Sequence, residues 1–117
     1  MSKKIDRFSH EVAKLVECGE VMRSSVRNFE AAMTEIARRI EAGETAVDAV
    51  LESTKPTLRQ QMTGAIAGFE EARHQMRVAL FDLALEQGSS ISEVGRALNI
   101  SRQLASRLAQ EARDQRP

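Results

Sequence analysis

Apolar residues return at alternating intervals of three and four through the first third of the chain: Ile5, Phe8, Val12, Leu15, then Met22, Val26, Phe29, Met33, Ile36 and Ile40. That spacing holds them on one stripe of an α-helix and is incompatible with a strand, whose side chains alternate with a period of two. Gly19 stands where the next apolar residue is due. A mid-helix glycine gives up about 1 kcal/mol of helix propensity relative to alanine, so the position reads as a local kink or as a close crossing of two backbones. A continuous helix over residues 4–41 would be roughly 55 Å long at 1.5 Å per residue. An amphipathic helix of that length needs a partner along its whole stripe.

The chain itself offers one. Gly43 ends the first helix, and Thr45-Ala46-Val47-Asp48 has the pattern of a capping box that opens a short helix to about Glu52. Pro56 restarts the chain, and Leu58, Met62, Ala65, Phe69, Ala72, Met76, Ala79 and Leu83 form a second seam in which small alanines alternate with large residues. Ile66, Val78, Leu80, Phe81 and Leu85 widen this stripe, Gly64 and Gly68 within it suggest close helix packing, and Gly88 stops it. The helix over 56–87 is expected to brace the first helix with its early part and to support the C-terminal segment with its last part. No Pro- or Gly-rich linker separates the halves, so they are expected to be rigidly coupled.

In the last quarter, Val94, Leu98, Ile100, Ala105 and Leu108 fall where two short helices joined by a tight turn pack together. Ser90 and Glu93 form a capping box at the start of the first, near Ile91, and Ser101 caps the second, about Arg102 to Arg113. Asn99 lies between them, where positive φ is needed and asparagine tolerates it. Gly95 occupies a position where the second helix comes too close for a large side chain.

The stretch SISEVGRALNISRQLASRL resembles the helix-turn-helix of bacterial transcriptional regulators and of the DNA-binding tails of site-specific recombinases. Two positions depart from that pattern: Asn99 stands where glycine is commonest, and Ala105 where a larger valine or isoleucine is frequent. The resemblance implies double-stranded DNA as partner, with the second helix entering the major groove. Arg102 and Arg107 would then reach guanine, Gln103 adenine, and Leu104, read as exposed, a thymine methyl, while Ser101, Ser106 and Gln110 would hold phosphates. The expected fold is all-α, a long N-terminal helix paired with a second long helix that leads into a C-terminal three-helix helix-turn-helix unit. The expected division is 1–71, a helical dimerisation region, and 72–117, the DNA-binding region.

Charge adds direction to this reading. The chain balances 17 bases against 17 acids, but from Ile91 onward five arginines (Arg96, Arg102, Arg107, Arg113 and Arg116) face three acids, whereas 42–90 carries four bases and seven acids. Such a modest basic excess suits a binder that sets two motifs on one duplex rather than a DNA-coating protein. A homodimer is therefore expected, its interface formed by Ile5, Phe8, Val12, Leu15, Met22, Val26, Phe29, Met33 and Ile36.

Other chemistries lack residues. His10 and His74 are isolated, no ligand-spaced cluster suggests a metal, and no glycine-rich phosphate loop is present, so neither an enzyme nor a cofactor is expected. Arg73, His74 and Arg77 read as a solvated face, and Cys18, the single cysteine, as a packing residue. No stretch approaches the length of a membrane span, and the N-terminus has no apolar signal core, which makes the cytoplasm the expected location. The functional expectation is a sequence-specific, dimeric regulator of transcription, a repressor or autorepressor reading an inverted repeat. Two alternatives stand beside it: a structural DNA-binding protein of the plasmid-partition, relaxosome or nucleoid kind, and a protein-interaction module acting through the long N-terminal helix.

Overall fold

The computed structural model describes residues 2–115, which are all-helical with no strand among them. The helices are α1 (Lys3–Glu41), α2 (Ala46–Ser53), α3 (Leu58–Glu86), α4 (Ile91–Leu98) and α5 (Arg102–Asp114). Arg116, included in the charge count above, lies outside the described residues. None of the helices is long and apolar enough to cross a membrane.

Local chemistry sets the boundaries. Gly43 and Gly88 adopt φ of +105° and +93°, a left-handed conformation that suits glycine, and end α1 and α3. Past each of them the chain closes on the helix it has left, Glu44 N donating to Arg39 O and Ser89 N to Ala84 O, both at 3.0 Å. Thr45 caps α2, its Oγ1 accepting from Asp48 N at 3.2 Å.

The chain forms two compact units, one made of the segment up to Val16 together with Glu70 onward, the other of Glu17–Phe69. In the first, Val78 and Phe81 of α3, Val94 of α4, and Ala105, Leu108, Ala109 and Ala112 of α5 build one buried core. Phe81, Leu108 and Val78 are its largest fully buried side chains, each stabilising the unit by about 1.5–3 kcal/mol relative to exposure. Beside Phe81 lies Asp82, a carboxylate only 4% exposed. Lys4 Nζ reaches its Oδ1 at 2.7 Å and Arg7 Nη1 its Oδ2 at 3.6 Å. Arg7 also donates through Nη2 to Gln115 Oε1 at 2.6 Å. The first turns of α1 thus pack with the C-terminal residues, their cations lying against a buried carboxylate there.

The second unit is built differently. Within residues 17–69 only Gly19, Ala49 and Ala65 are buried. Gly19 does not break α1. A Cβ placed there would meet the Phe69 ring at 3.6 Å, so an aromatic side chain, not a crossing backbone, occupies the gap in the seam. Gly64 and Gly68 overturn the expectation of close packing: both are exposed, with open space where a Cβ would stand. At the end of α1, Glu35 accepts from Arg38 and Arg39, which hold its carboxyl down from 4.5 to about 2. Arg39 also reaches Glu44 beyond the turn at 3.3 Å.

The covered stripe of α1 keeps most of the expected seam and is widened on one flank. Phe8, Leu15, Met22, Phe29 and Ile36 are half-buried as expected, and Val12 and Val26 with them. The covered row beside them, however, is Cys18, Ser25, Ala32 and Arg39, while Ile5, Met33 and Ile40 are exposed. The small residues at 18, 25 and 32 admit a close neighbour on that flank, and Ile5, Met33 and Ile40 on the other flank turn outward.

Replacing Asp82 with asparagine keeps its volume and removes the charge that Lys4 and Arg7 share. Because both cations are partly exposed and can rehydrate, the expected loss is about 1–3 kcal/mol, read as a lower urea midpoint at unchanged slope. An unchanged midpoint would contradict the role given to this pair.

Candidate nucleic-acid interface

Three local devices shape the surface formed by α4 and α5. Ser90 and Glu93 form a reciprocal capping box, Ser90 N donating to Glu93 Oε1 at 3.0 Å and Glu93 N to Ser90 Oγ at 3.1 Å. These bonds, with Arg96 nearby, hold the Glu93 carboxyl below its ordinary value. Asn99 takes φ 56° and ψ 45°, the left-handed conformation expected of it, and turns the chain between the helices. Ser101 then caps α5, its Oγ accepting from Leu104 N at 3.1 Å.

The turn brings α4 against α5 at one point. A Cβ on Gly95 would stand 3.1 Å from the Cβ of Ala105 and 4.0 Å from Ile100 O. The small residue at 105 and the absent side chain at 95 are thus halves of one contact, which explains why the larger residue frequent in the resembling motif is missing here.

With Ala105, Leu108, Ala109 and Ala112 buried, α5 turns the rest of its circumference outward. Arg102, Gln103, Ser106, Arg107 and Gln110 are all exposed, and their spacing places them on one stripe. Ser101 is exposed at its N-terminal end. Gln110 donates to Asp114 Oδ1 at 2.9 Å, so its amide is held along the helix. Leu104 differs from its expected place. It is half-buried and packed against the core, because it lies on the flank of the stripe where α5 meets its neighbours.

Two residues that the sequence reading did not single out join this surface. Ser92 and Arg96, one turn apart on α4, line a hollow of about 300 Å³ together with Arg102 and Ser106 of α5, Gly95 and Ala105 between them. The signal for them was their four-residue spacing on the exposed face of α4. Two guanidinium groups and two hydroxyls converging on a concave surface suit an anionic backbone.

The flank is tied down. His74 Nε2 lies 2.7 Å from Glu111 Oε2, joining α3 to α5, and Arg73 donates to Glu70 at 2.9 Å. Among the three residues read as a solvated face, Arg73 alone is exposed, whereas His74 and Arg77 are half-buried. Cys18 is a free, half-buried thiol. Among the described residues no group of His, Cys, Asp or Glu is arranged to hold a metal ion.

Comparison of the chain with protein-family models, curated proteins and solved structures gave no match.

The Gly95 and Ala105 contact yields a direct test. Gly95→Val forces two extra methyls and a Cβ into a space already filled by a helix, and an expected loss of about 1–3 kcal/mol follows from overpacking. Thermal unfolding followed by circular dichroism measures it, and a melting temperature at or above that of the unaltered chain would show that α4 and α5 can separate freely.

Proposed function

We propose that this chain is a sequence-specific DNA-binding regulator of transcription in which α4, the Asn99 turn and α5 act as a helix-turn-helix and α5 is the recognition helix. The observation that carries this reading is the exposed stripe Arg102, Gln103, Ser106, Arg107 and Gln110 on a helix whose opposite face is buried. These side chains have no packing role. Their chemistry is that of base readers, with bidentate guanidinium donors for guanine and an amide that matches adenine.

Roles divide along the surface. Arg102, Gln103 and Arg107 read base edges. Ser101 and Ser106 hold phosphates, joined by Ser92 and Arg96 of α4, and Gln110 contributes from the next turn. Leu104, half-buried, serves the core. The near-neutral chain draws little on long-range attraction to DNA, so affinity depends on close contacts and on engaging two half-sites at once through a homodimer. Repression, including autorepression, is the mode of action that requires nothing beyond occupancy of an inverted repeat. Such a protein acts in the cytoplasm, needs no cofactor and catalyses no reaction.

Arg107→Ala tests the assignment. Its exposed side chain bears no packing load, so the fold should persist while binding to the selected site weakens by about 1–3 kcal/mol and tolerates substitution at one base position. Titration of the site and of its single-base variants measures both effects, and unchanged affinity with unchanged base preference would defeat it.

A further inference from the structure

Within the Glu17–Phe69 unit a hollow of about 580 Å³ lies where α1 meets the end of α2 and the start of α3. Its polar lining is drawn from every element around it: Asn28 and Glu35 of α1, Ser53 in the last turn of α2, Lys55 in the segment that follows, and Gln61 of α3. Ala31, Ala32 and Leu58 supply the apolar part. The spacing of Asn28, Ala31, Ala32 and Glu35 sets them on one face of α1. Small-molecule sites have this size and this make-up, apolar walls with a few polar groups that converge.

The condition of those groups defines what fits among them. The Ser53 hydroxyl oxygen is buried, with no hydrogen-bond partner among the described residues, a costly state unless a bonded group arrives from elsewhere. Ser53 is not needed to close α2, because Thr54 does so, its Oγ1 donating to Val50 O at 2.8 Å. Glu35, the acid of the hollow, is already engaged: Arg38 and Arg39 donate to its two carboxylate oxygens at 2.6–3.0 Å and keep it ionised. Those same bonds commit both guanidinium groups. Lys55 is therefore the charge that remains, its ammonium having no ion-pair partner among the described residues, and no described residue engages the side-chain amides of Asn28 and Gln61. A lone ammonium calls for an anion. Phosphate is usually gathered in by guanidinium forks or by the N–H groups of a helix start, and neither is free here, whereas a carboxylate carries the single charge that one ammonium matches.

We propose that this hollow binds a small organic acid, its carboxylate paired with Lys55, its other oxygens hydrogen-bonded to Asn28, Gln61 and the Ser53 hydroxyl, and its hydrocarbon part set against Ala31, Ala32 and Leu58. The site lies wholly in the Glu17–Phe69 unit and shares no residue with the DNA-reading surface. Its occupancy is measured without DNA, so its failure and the failure of the regulator reading are distinguishable.

The test is a titration of the full chain with acetate, lactate, malate and benzoate in turn, each at millimolar concentration and fixed ionic strength, followed by the backbone amide signals in two-dimensional nuclear magnetic resonance, with sodium chloride as control. At least one acid is expected to shift the signals of Asn28, Ser53, Lys55 and Gln61 to saturation while chloride leaves them in place. Lys55→Gln, at an exposed position, should keep the fold and weaken that acid roughly tenfold or more, because the bond lost is one to a charged group. Ser53→Ala should weaken it several-fold without lowering the melting temperature, since the hydroxyl removed makes no bond within the described residues. If none of the four acids saturates, if chloride moves the same signals equally, or if Lys55→Gln binds as well as the unaltered chain, the proposal is overturned.

Discussion

The contact between Gly95 and Ala105 is the constraint on which the C-terminal unit depends. With 3.1 Å between the Ala105 Cβ and the place a Gly95 Cβ would take, α4 and α5 approach as near as two helices with one missing side chain permit. That approach lets Val94 and Leu108 share a core with Phe81, and it fixes which side of α5 is spent on packing. The exposed stripe follows as the remainder. A bulkier residue at either position would separate the helices and spread the stripe that the functional reading needs. Glycine at 95 costs about 1 kcal/mol in helix propensity, and the close packing offsets it.

Features determined by neighbours in sequence were legible before any coordinates. The capping box of Ser90 and Glu93, the caps at Thr45 and Ser101, the left-handed turn at Asn99 and the glycine stops at 43 and 88 each involve residues within about one helical turn, so spacing alone specifies them. Helix lengths follow from the same signals. Features that depend on what a helix packs against were not legible. Periodicity marked a stripe on α1 but could not choose between its two flanks, and the small residues Cys18, Ser25 and Ala32 took the covered place expected for Met33 and Ile40. Gly64 and Gly68 suggested close packing and met open space, while Gly19 suggested a kink and met the Phe69 ring. In the candidate site the stripe residues were readable from helical phase. Leu104 was not, because its position on the flank depends on the neighbours of α5. Arg96 and Ser92 became visible only when the hollow between α4 and α5 brought them beside Arg102 and Ser106.

The two units use different means of stabilisation. One buries large side chains in a continuous core and pairs its buried carboxylate, Asp82, with Lys4 and Arg7. The other buries only glycine and alanine and leaves valine, leucine, isoleucine and methionine at its surface.

Capture of fragmented genomic DNA from the source organism by the purified protein at near-physiological salt, followed by sequencing of the bound fragments, tests the central claim most directly. The account predicts a small number of enriched sites that share an inverted repeat. Uniform coverage, or no enrichment at all, would contradict it.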